Sequence, residues 1–304
     1  MSKVRHVKVS REREGQRLDN FLLGELKGAP RSLVYRLIRK GQVRVNGGRC
    51  KPMQKLATGD DVRIPPVKTA EKTEVKFSPD QQSEILGRIL HEDERYLAVD
   101  KPAGMAVHAG SGLPWGLIDV LRAARPDGFL ELVHRLDRET SGCLIIARSR
   151  ETLLEAQEAL KARAVDKRYL CLLEGDLAEE PVTVDVPLKR GVERGGERLV
   201  EVHPEGKRAV THFKPIERLP GWTLVEAEIE TGRTHQIRVH ARHIGHPIAG
   251  DDKYGDHKPP AGLRRLFLHC SMFGLELPAS DYALTASSEL PDELRDCLDR
   301  LIRR

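Results

Sequence analysis

The apolar residues near the start of the chain recur at helical spacing in two short segments. In residues 17–26 the apolar side chains fall on one helix face, and the glycine and proline of residues 28–30 end this helix. A second helix is predicted over residues 33–40, with Ser32 as its N-terminal cap and Gly41 at its end. Two helices are therefore predicted to begin the segment of residues 15–65.

A small sheet is predicted to follow the two helices. Val43 and Val45 alternate with polar residues up to Asn46 and Gly47, a pair of residues typical of a β-hairpin turn. A last short strand is predicted over residues 62–64. Residues 66–84 are polar and proline-bounded, so we expect a small α/β domain over residues 1–65 and a linker over residues 66–84.

From residue 85 onward the pattern changes to short apolar segments separated by glycine and proline turns. One clear helix is predicted over residues 151–162. Strands are predicted over residues 85–90, 97–99, 143–147, 169–173, 223–229 and 236–239. Strands and helices do not alternate regularly, which favours an α+β domain with a mixed, mainly antiparallel sheet over residues 85–304.

Charge is distributed unevenly along the chain. The formal net charge is only +5, but residues 1–75 contain 18 Lys and Arg against 8 Asp and Glu, so the remainder is acidic. Basic charge concentrated in one module is typical of nucleic-acid binding, although a solubilising basic face would give the same balance.

The cysteines and the apolar segments limit where the protein works. The five cysteines are scattered and form no C-x-x-C pair, which argues against a disulfide framework or a cysteine zinc site. The charged N-terminal segment does not resemble a signal peptide, and no apolar run reaches the length of about 20 residues that a membrane span needs. We therefore expect a soluble cytoplasmic protein without a membrane partner.

Three segments contain the candidate chemistry, namely HRLDRETSG at 134–142, KRYLCL at 167–172 and TGRTHQIRVH at 231–240. In the first, Asp137 lies between Arg135 and Arg138 just before a buried strand. Nearby opposite charge favours the ionised form of a carboxylate, which suits a catalytic aspartate. Taken alone, this motif is more typical of a structural salt bridge at the start of a strand, and Tyr169 would be an ordinary strand aromatic.

The N-terminal segments GQRLDNFL, RSLVYRLIRKGQVRVNG and TGDDVRI resemble the S4 RNA-binding domain in order and spacing. The resemblance covers about fifty residues. It implies that the second helix and the loop after it lie on structured RNA. The candidate phosphate contacts are Arg17, Arg31, Arg36, Arg39, Lys40 and Arg44.

The rest of the chain resembles the RluA-type family of pseudouridine synthases. HRLDRETSG matches the family signature, and DKPAGMAVHAG, KRYL, TGRTHQIRVH, GHPI and RLFLH follow in the family's order. The resemblance implies the fold of that family and the isomerisation of uridines to pseudouridine. It also implies 23S ribosomal RNA of the large subunit as the substrate, with other uridines of the same RNA as the alternative target.

The resemblance also implies roles for single residues. Asp137 is the essential carboxylate; attack on the ribose, attack on the pyrimidine and assistance to a glycal route all stay open. Arg238 pairs with this aspartate and keeps it charged. Tyr169 stacks on the flipped uracil and helps to remove a proton, Leu268 lies beneath the base, and Arg135 fills the gap that the flipped nucleotide leaves.

Further residues of these segments are expected to act on binding. His134, Arg233 and His235 are predicted to shape the pocket or to contact phosphate. The reaction oxidises nothing and imports no group, so no cofactor, nucleotide or metal is expected. We expect a monomer whose partner is the RNA.

Three alternative functions remain open from the residues. A metal hydrolase would use the histidines between residues 235 and 246, but no H-E-x-x-H pattern occurs there. An RNA methyltransferase would need a glycine-rich loop after a strand, and residues 110–112 and 195–196 are predicted to be turns instead. A non-catalytic RNA-binding protein would not need the intact set Asp137, Tyr169 and Arg238.

Overall fold

The computed structural model describes residues 4–26, 28–67, 75–110, 113–194, 197–255, 259–260 and 262–303. The chain divides into two units, residues 1–75 and residues 76–304. The division falls in the segment predicted as a linker, of which residues 68–74 lie outside the described residues, as do residues 111–112 and 195–196. No helix within the described ranges is long and apolar enough to cross a membrane.

The first unit consists of two helices packed on a three-stranded antiparallel sheet of order β1-β3-β2. Its elements are β1 Arg5–Lys8, α1 Leu18–Glu25, α2 Arg31–Arg39, β2 Arg44–Val45 and β3 Asp61–Ile64. The apolar faces of α1 and α2 meet in the core of this unit, where Leu18, Phe21 and Val34 are fully buried. Helical periodicity therefore predicted both helices.

Two local predictions in the first unit have different outcomes. The turn at Asn46 and Gly47 is confirmed, because both residues have positive φ, 50° and 76°, and the backbones of Val45 and Gly48 bond to each other. Ser32 as a helix cap is wrong. The helix begins one residue earlier than Ser32, and Pro30 is its N-cap without a side-chain bond.

The second unit is built on one ten-stranded sheet with helices against it. Its helices are α3 Pro79–Leu86, α4 Leu117–Ala124, α5 Arg150–Ala162, α6 Gln236–His243 and α7 Asp292–Ile302. Its strands are β4 Ile89–Glu92, β5 Tyr96–Lys101, β6 Glu131–Leu132, β7 Ser141–Ala147, β8 Val165–Glu174, β9 Val182–Asp185, β10 Leu188–Arg194, β11 Glu197–Val202, β12 Val210–Leu219, β13 Trp222–Ile229, β14 Leu268–Leu277 and β15 Tyr282–Ser287.

The strand order of the large sheet is β4-β5-β7-β14-β8-β13-β12-β9, with β15 beside β14 and β6 beside β7. Among the described strands every pairing in it is antiparallel except that of β7 with β14. Strands β10 and β11 form a separate antiparallel hairpin. The predicted α+β class with a mixed, mainly antiparallel sheet is confirmed.

The middle of the sheet forms the main core. All seven residues of β7 are buried, which explains why this strand is a continuous apolar run without alternation. Helix α5 covers it through Leu153 and Ala156, and Phe273 of β14 packs in the same cluster. The loops at the ends of β7, β8 and β14 are thereby held close together.

The structure corrects two predicted strands. Residues 79–86 form α3, which the sequence divided between a linker and a strand; the strand β4 starts only at Ile89. A capping box between Ser78 and Gln81, with Pro79 in the first turn, starts this helix. Residues 236–239 are the first turn of α6 and not a strand.

The wrong prediction at residues 236–239 has a physical reason. Apolar and polar residues alternate there, which normally indicates a β-strand with one buried face and one solvent-exposed face. In α6, however, the polar residues Gln236, Arg238 and His240 are as buried as the apolar ones between them. Each of them is hydrogen-bonded inside the protein, so their polarity does not mark a solvent-exposed face.

Candidate active site

A cavity of about 570 Å³ opens at the ends of β7, β8, α6 and β14. It is lined by every catalytic and substrate-binding residue predicted from the sequence. These residues are Arg135, Asp137, Tyr169, Arg233, His235, Arg238 and Leu268. The fold thus brings together side chains that are up to 133 positions apart in the chain, and they share one solvent-accessible space.

The loop that contains Asp137 is held by a buried lysine. The Nζ of Lys101, fully buried, donates to the backbone oxygens of Pro102, Met105 and Arg138 at 2.7, 2.8 and 3.1 Å. Burial lowers the pKa of Lys101 to about 7. The backbone of Gly104 also donates to the oxygen of Arg138, at 2.8 Å. The DKPAG segment therefore braces the residue next to the candidate carboxylate.

The end of the same loop requires a glycine. Gly142 has a φ of +108°, and a Cβ there would lie 2.1 Å from the backbone oxygen of Cys270. At this point β7 runs parallel to β14, with Gly142 opposite Cys270. Any side chain would push the two strands apart five residues after Asp137, so the glycine of the signature has a steric cause.

The predicted ion pair between Arg238 and Asp137 is replaced by a different one. The guanidinium of Arg238 donates through Nε and Nη2 to the two carboxylate oxygens of Asp251, at 2.8 and 2.5 Å, and through Nη2 to Asp252 at 3.2 Å. Arg238 and Asp251 are almost completely buried. Among the described residues the guanidinium therefore bonds to Asp251 and Asp252, and the predicted direct pair with Asp137 is not formed in this structure.

Electrostatic interaction between Arg238 and Asp137 nevertheless persists. Burial works against the charge of Arg238, but the bonds to Asp251 and the charges of Asp251 and Asp137 raise its pKa above the ordinary value. The two aspartates thus share one permanent positive charge. Among the described residues, the Nη1 group of Arg238 bonds to no partner, which leaves it available to the cavity.

The loop before α6 is organised by the side chain of Gln236. Its oxygen accepts from the hydroxyl of Thr231 at 2.7 Å and from the backbone of Arg233 at 3.1 Å. Its nitrogen donates to the backbone oxygen of Val210 and to Thr211. The bonds to Thr231 and Arg233 hold the loop in which Arg233 and His235 reach the cavity wall. No pattern in the sequence indicates this role of Gln236.

The strand β8 places two side chains on the cavity. Side chains two residues apart share a strand face, so Lys167 and Tyr169 lie side by side. Burial and contact with Cys270 raise the pKa of Tyr169 well above its ordinary value, so its hydroxyl stays protonated. Burial lowers the pKa of Lys167. Leu268, on the neighbouring strand β14, adds an apolar side chain to the cavity wall.

His134 has a structural role in the wall. Its Nε2 accepts the backbone N–H of Ile145 at 3.1 Å, and its ring stacks on Phe273 with centroids 4.6 Å apart. Burial lowers the pKa of His134 to about 3, so the ring is neutral at ordinary pH. These contacts agree with the prediction that His134 shapes the pocket.

Two further histidines of the metal-hydrolase alternative, His240 and His246, have separate partners. His240 bonds to Thr211 and to the backbone oxygen of Val186, and His246 bonds to the backbone oxygen of Glu174. In the described part of the chain no three His, Cys, Asp or Glu side chains converge as a metal site would require. The geometry therefore gives that alternative no support.

The predicted RNA-contact residues of the first unit lie on its surface. Arg17 makes a bidentate bond to the buried carboxylate of Asp19, at 3.0 and 2.6 Å, which also accepts the hydroxyl of Tyr35. Arg31 donates to Asn20 at 3.1 Å. The remaining predicted contacts are exposed or half-buried, namely Arg36, Arg39, Lys40 and Arg44.

Comparison with known families places both units. Residues 95–243 match the RNA pseudouridylate synthase family, and residues 16–62 match the S4 domain. Ribosomal large subunit pseudouridine synthase C of Yersinia pestis is 48% identical over 97% of this chain and 95% of that protein. The proteins of the same name from Escherichia coli K12 and Haemophilus influenzae are 45% and 46% identical, over 98% and 99% of this chain and 97% and 96% of those proteins.

Two solved human structures are similar in fold to about three quarters of this chain. Human RNA Pseudouridylate Synthase Domain Containing 4 superposes with a TM-score of 0.60 at 26% identity, over 73% of this chain and 95% of that one. Human RNA Pseudouridylate Synthase Domain Containing 1 has the same TM-score at 25% identity, over 75% of this chain and 96% of that one.

Proposed function

The chain belongs to the RNA pseudouridylate synthase family, and we propose that it converts specific uridines of 23S ribosomal RNA to pseudouridine with Asp137 as the essential carboxylate. The names of the bacterial relatives support RNA of the large ribosomal subunit as the substrate. One observation supports the assignment most directly. A single cavity presents a carboxylate, an aromatic ring, an apolar side chain and a guanidinium, from Asp137, Tyr169, Leu268 and Arg238.

The reaction makes defined demands on the cavity. The N1–C1′ bond of uridine breaks, the uracil turns, and a C5–C1′ bond forms. C5 then loses its proton and N1 gains one, directly or through solvent, so that the product is an isomer and nothing is oxidised. The protein must hold the freed base and supply a carboxylate beside the sugar. A cavity of about 570 Å³ has room for one nucleotide. The base of the target uridine must leave the RNA stack to reach this cavity.

We propose that Asp137 acts on the nucleotide in this cavity, which its side chain lines. Its backbone is held by the bonds that Lys101 and Gly104 make to Arg138. A carboxylate here can attack C1′, attack the pyrimidine ring, or assist loss of a ribose proton on a glycal route. Each route needs the ionised carboxylate, and Arg238, held by Asp251, supplies a fixed positive charge that interacts with it.

Tyr169 and Leu268 are proposed to hold the uracil between an aromatic face and an apolar face. Stacking on an aromatic side chain is worth about 1–3 kcal/mol per base. Because burial keeps the hydroxyl of Tyr169 protonated, it takes part in proton removal as a hydrogen-bonding neutral group and not as a phenolate. Arg135, exposed at the cavity rim, is proposed to occupy the gap that the flipped nucleotide leaves in the RNA.

The first unit, which matches the S4 domain, is proposed to bind the RNA through its phosphates. Its exposed basic side chains can neutralise phosphates, and each neutralised phosphate releases counterions. The bidentate bond to Asp19 holds the guanidinium of Arg17 in one orientation. We further propose that the protein works as a monomer in the cytoplasm, where its free cysteines stay reduced.

The test is a map of pseudouridines in 23S RNA from a strain that lacks this gene. We expect specific pseudouridines to disappear in the deletion and to return when the wild-type chain is expressed. The variant Asp137→Asn should restore none of them. An unchanged 23S map in the deletion strain would contradict the proposed substrate, and restoration by Asp137→Asn would contradict the assigned carboxylate.

A further inference from the structure

Tyr254 lies behind the cavity wall and contacts three parts of the second unit. Its hydroxyl oxygen accepts the backbone N–H of Val200 in strand β11 at 3.0 Å and lies 2.8 Å from Nδ1 of His235. The guanidinium carbon of Arg238 is 5.1 Å from the centre of its ring, and its backbone oxygen accepts from Arg242 at 2.8 Å. Tyr254 is almost completely buried.

These contacts determine where the proton of the Tyr254 hydroxyl lies. A hydroxyl has one proton to donate and two lone pairs that accept. The N–H of Val200 takes one lone pair. If Nδ1 of His235 donated as well, the hydroxyl proton would be buried with no acceptor among the described residues, which is costly. The hydroxyl therefore donates to Nδ1.

The tautomer of His235 follows from that bond. Burial lowers the pKa of His235, so the ring is neutral, although the charge of Asp137 opposes this shift. A neutral ring that accepts at Nδ1 has its proton on Nε2. The two nitrogens point in diverging directions, so Nε2 points away from Tyr254. Within the described residues it has no hydrogen-bond partner, and His235 lines the cavity.

The backbone of His235 supports the same role. It has a φ of +53°, an unusual value for a residue other than glycine, at the position just before α6. Gln236 holds this turn through its bonds to Thr231 and to the backbone of Arg233. Backbone conformations of this kind persist where the surrounding structure enforces them, and they occur often in binding sites.

We propose that His235 is a neutral hydrogen-bond donor, through Nε2–H, to an oxygen of the target uridine nucleotide, and that Tyr254 is the positioning residue that sets this tautomer. The proposal about the substrate rests on the proposed function; the tautomer does not. The bond from Val200 further means that the β10–β11 hairpin holds the Tyr254 hydroxyl in place for His235.

The first experiment measures the tautomer in the intact protein without RNA. Long-range proton–nitrogen NMR of histidine-labelled protein distinguishes a protonated Nε2 from a protonated Nδ1. The signals of His235 are identified among those of the twelve histidines by their loss in His235→Gln. We expect a single species with an unprotonated Nδ1 and a protonated Nε2. A protonated Nδ1 in the wild type would overturn the proposal, whatever the enzyme's activity.

The second experiment uses Tyr254→Phe, which keeps the ring against Arg238 and removes only the hydroxyl. One hydrogen bond of ordinary net strength shifts a tautomer ratio by roughly three- to tenfold. We therefore expect the ratio of Nδ1-protonated to Nε2-protonated His235 to rise by about three- to tenfold, and kcat/KM to fall in proportion to the Nε2–H form that is lost. Tyr96→Phe is the matched control, because its buried hydroxyl donates to the backbone oxygen of Thr152 away from the cavity.

The control separates positioning from general loss of stability. Tyr96→Phe should lower stability to a similar degree while leaving the His235 signals and kcat/KM as in the wild type. If Tyr254→Phe kept the wild-type tautomer, or if both variants lost activity equally, the positioning role would be refuted. Absence of activity in the wild type on 23S RNA, with the expected tautomer, would refute the proposed function alone.

Discussion

Replacing Asp251 by asparagine should destabilise the second unit because it removes the charge that pairs with buried Arg238. The carboxylate of Asp251 accepts two hydrogen bonds from the guanidinium. It also accepts one hydrogen bond from each of the backbone N–H groups of Lys253 and Tyr254. Breaking a buried ion pair at one partner costs about 3–5 kcal/mol. Asp252 at 3.2 Å and the remaining amide oxygen offset part of this cost, so we expect a loss of about 2–4 kcal/mol.

Thermal unfolding of the full chain gives the measurement. For a unit of this size a loss of 1 kcal/mol lowers Tm by about 2–4 °C, so Asp251→Asn should lower the Tm of the second unit by about 4–16 °C. Activity should fall as well, because a guanidinium without Asp251 can turn toward Asp137 and leave the geometry in which it lines the cavity.

The matched control is Asp185→Asn on the surface. Asp185 makes a similar fork with Arg208, with Nη2 and Oδ2 2.8 Å apart, but their side chains are 46% and 55% exposed. Exposed pairs contribute little to stability, so this variant should unfold close to the wild-type Tm and keep its activity. Equal Tm values for the two variants would refute the argument that burial makes the Arg238–Asp251 pair essential.

Two further predictions concern base placement and RNA binding. Tyr169→Phe should bind RNA like the wild type but react about 10²–10⁴-fold more slowly in single turnover. Tyr169→Ala should in addition lose about 1–3 kcal/mol of RNA-binding free energy. A wild-type rate for Tyr169→Phe would show that the hydroxyl has no role in the reaction. A shortened chain that starts at residue 76 keeps the N-terminal cap of α3. The logarithm of its RNA affinity should decrease less steeply with the logarithm of the salt concentration than that of the full chain. Equal salt slopes for the two chains would exclude the first unit as an RNA contact.

The sequence predicted elements whose periodicity matches their burial. Helix α5 and strands β5, β7, β8 and β13 were located within a few residues, because their apolar patterns follow the period of the element. Helix α6 was missed because its polar residues are buried and bonded inside the protein. Helix α3 was missed although Ser78, Pro79 and Gln81 contain a readable start signal.

The order of the motifs predicted which residues line the cavity, but it did not predict the hydrogen bonds among them. Asp137, Tyr169 and Leu268 share one space as the resemblance implied. That Arg238 bonds to Asp251 could not be inferred, since either aspartate satisfies a guanidinium and only the distances decide. The bond between Tyr254 and His235 joins a loop to a helix start, and no local pattern indicates it.

A single-turnover assay with purified protein and 23S RNA decides whether Asp137 is the carboxylate that performs the isomerisation. The assay measures the pseudouridine formed by the wild type, by Asp137→Asn and by Asp127→Asn, and RNA affinity is determined separately. Asp127 is the control because it is exposed and does not line the cavity. We predict no product from Asp137→Asn at unchanged affinity and fold, and a wild-type rate from Asp127→Asn. Pseudouridine formation by Asp137→Asn at the wild-type rate would contradict the account.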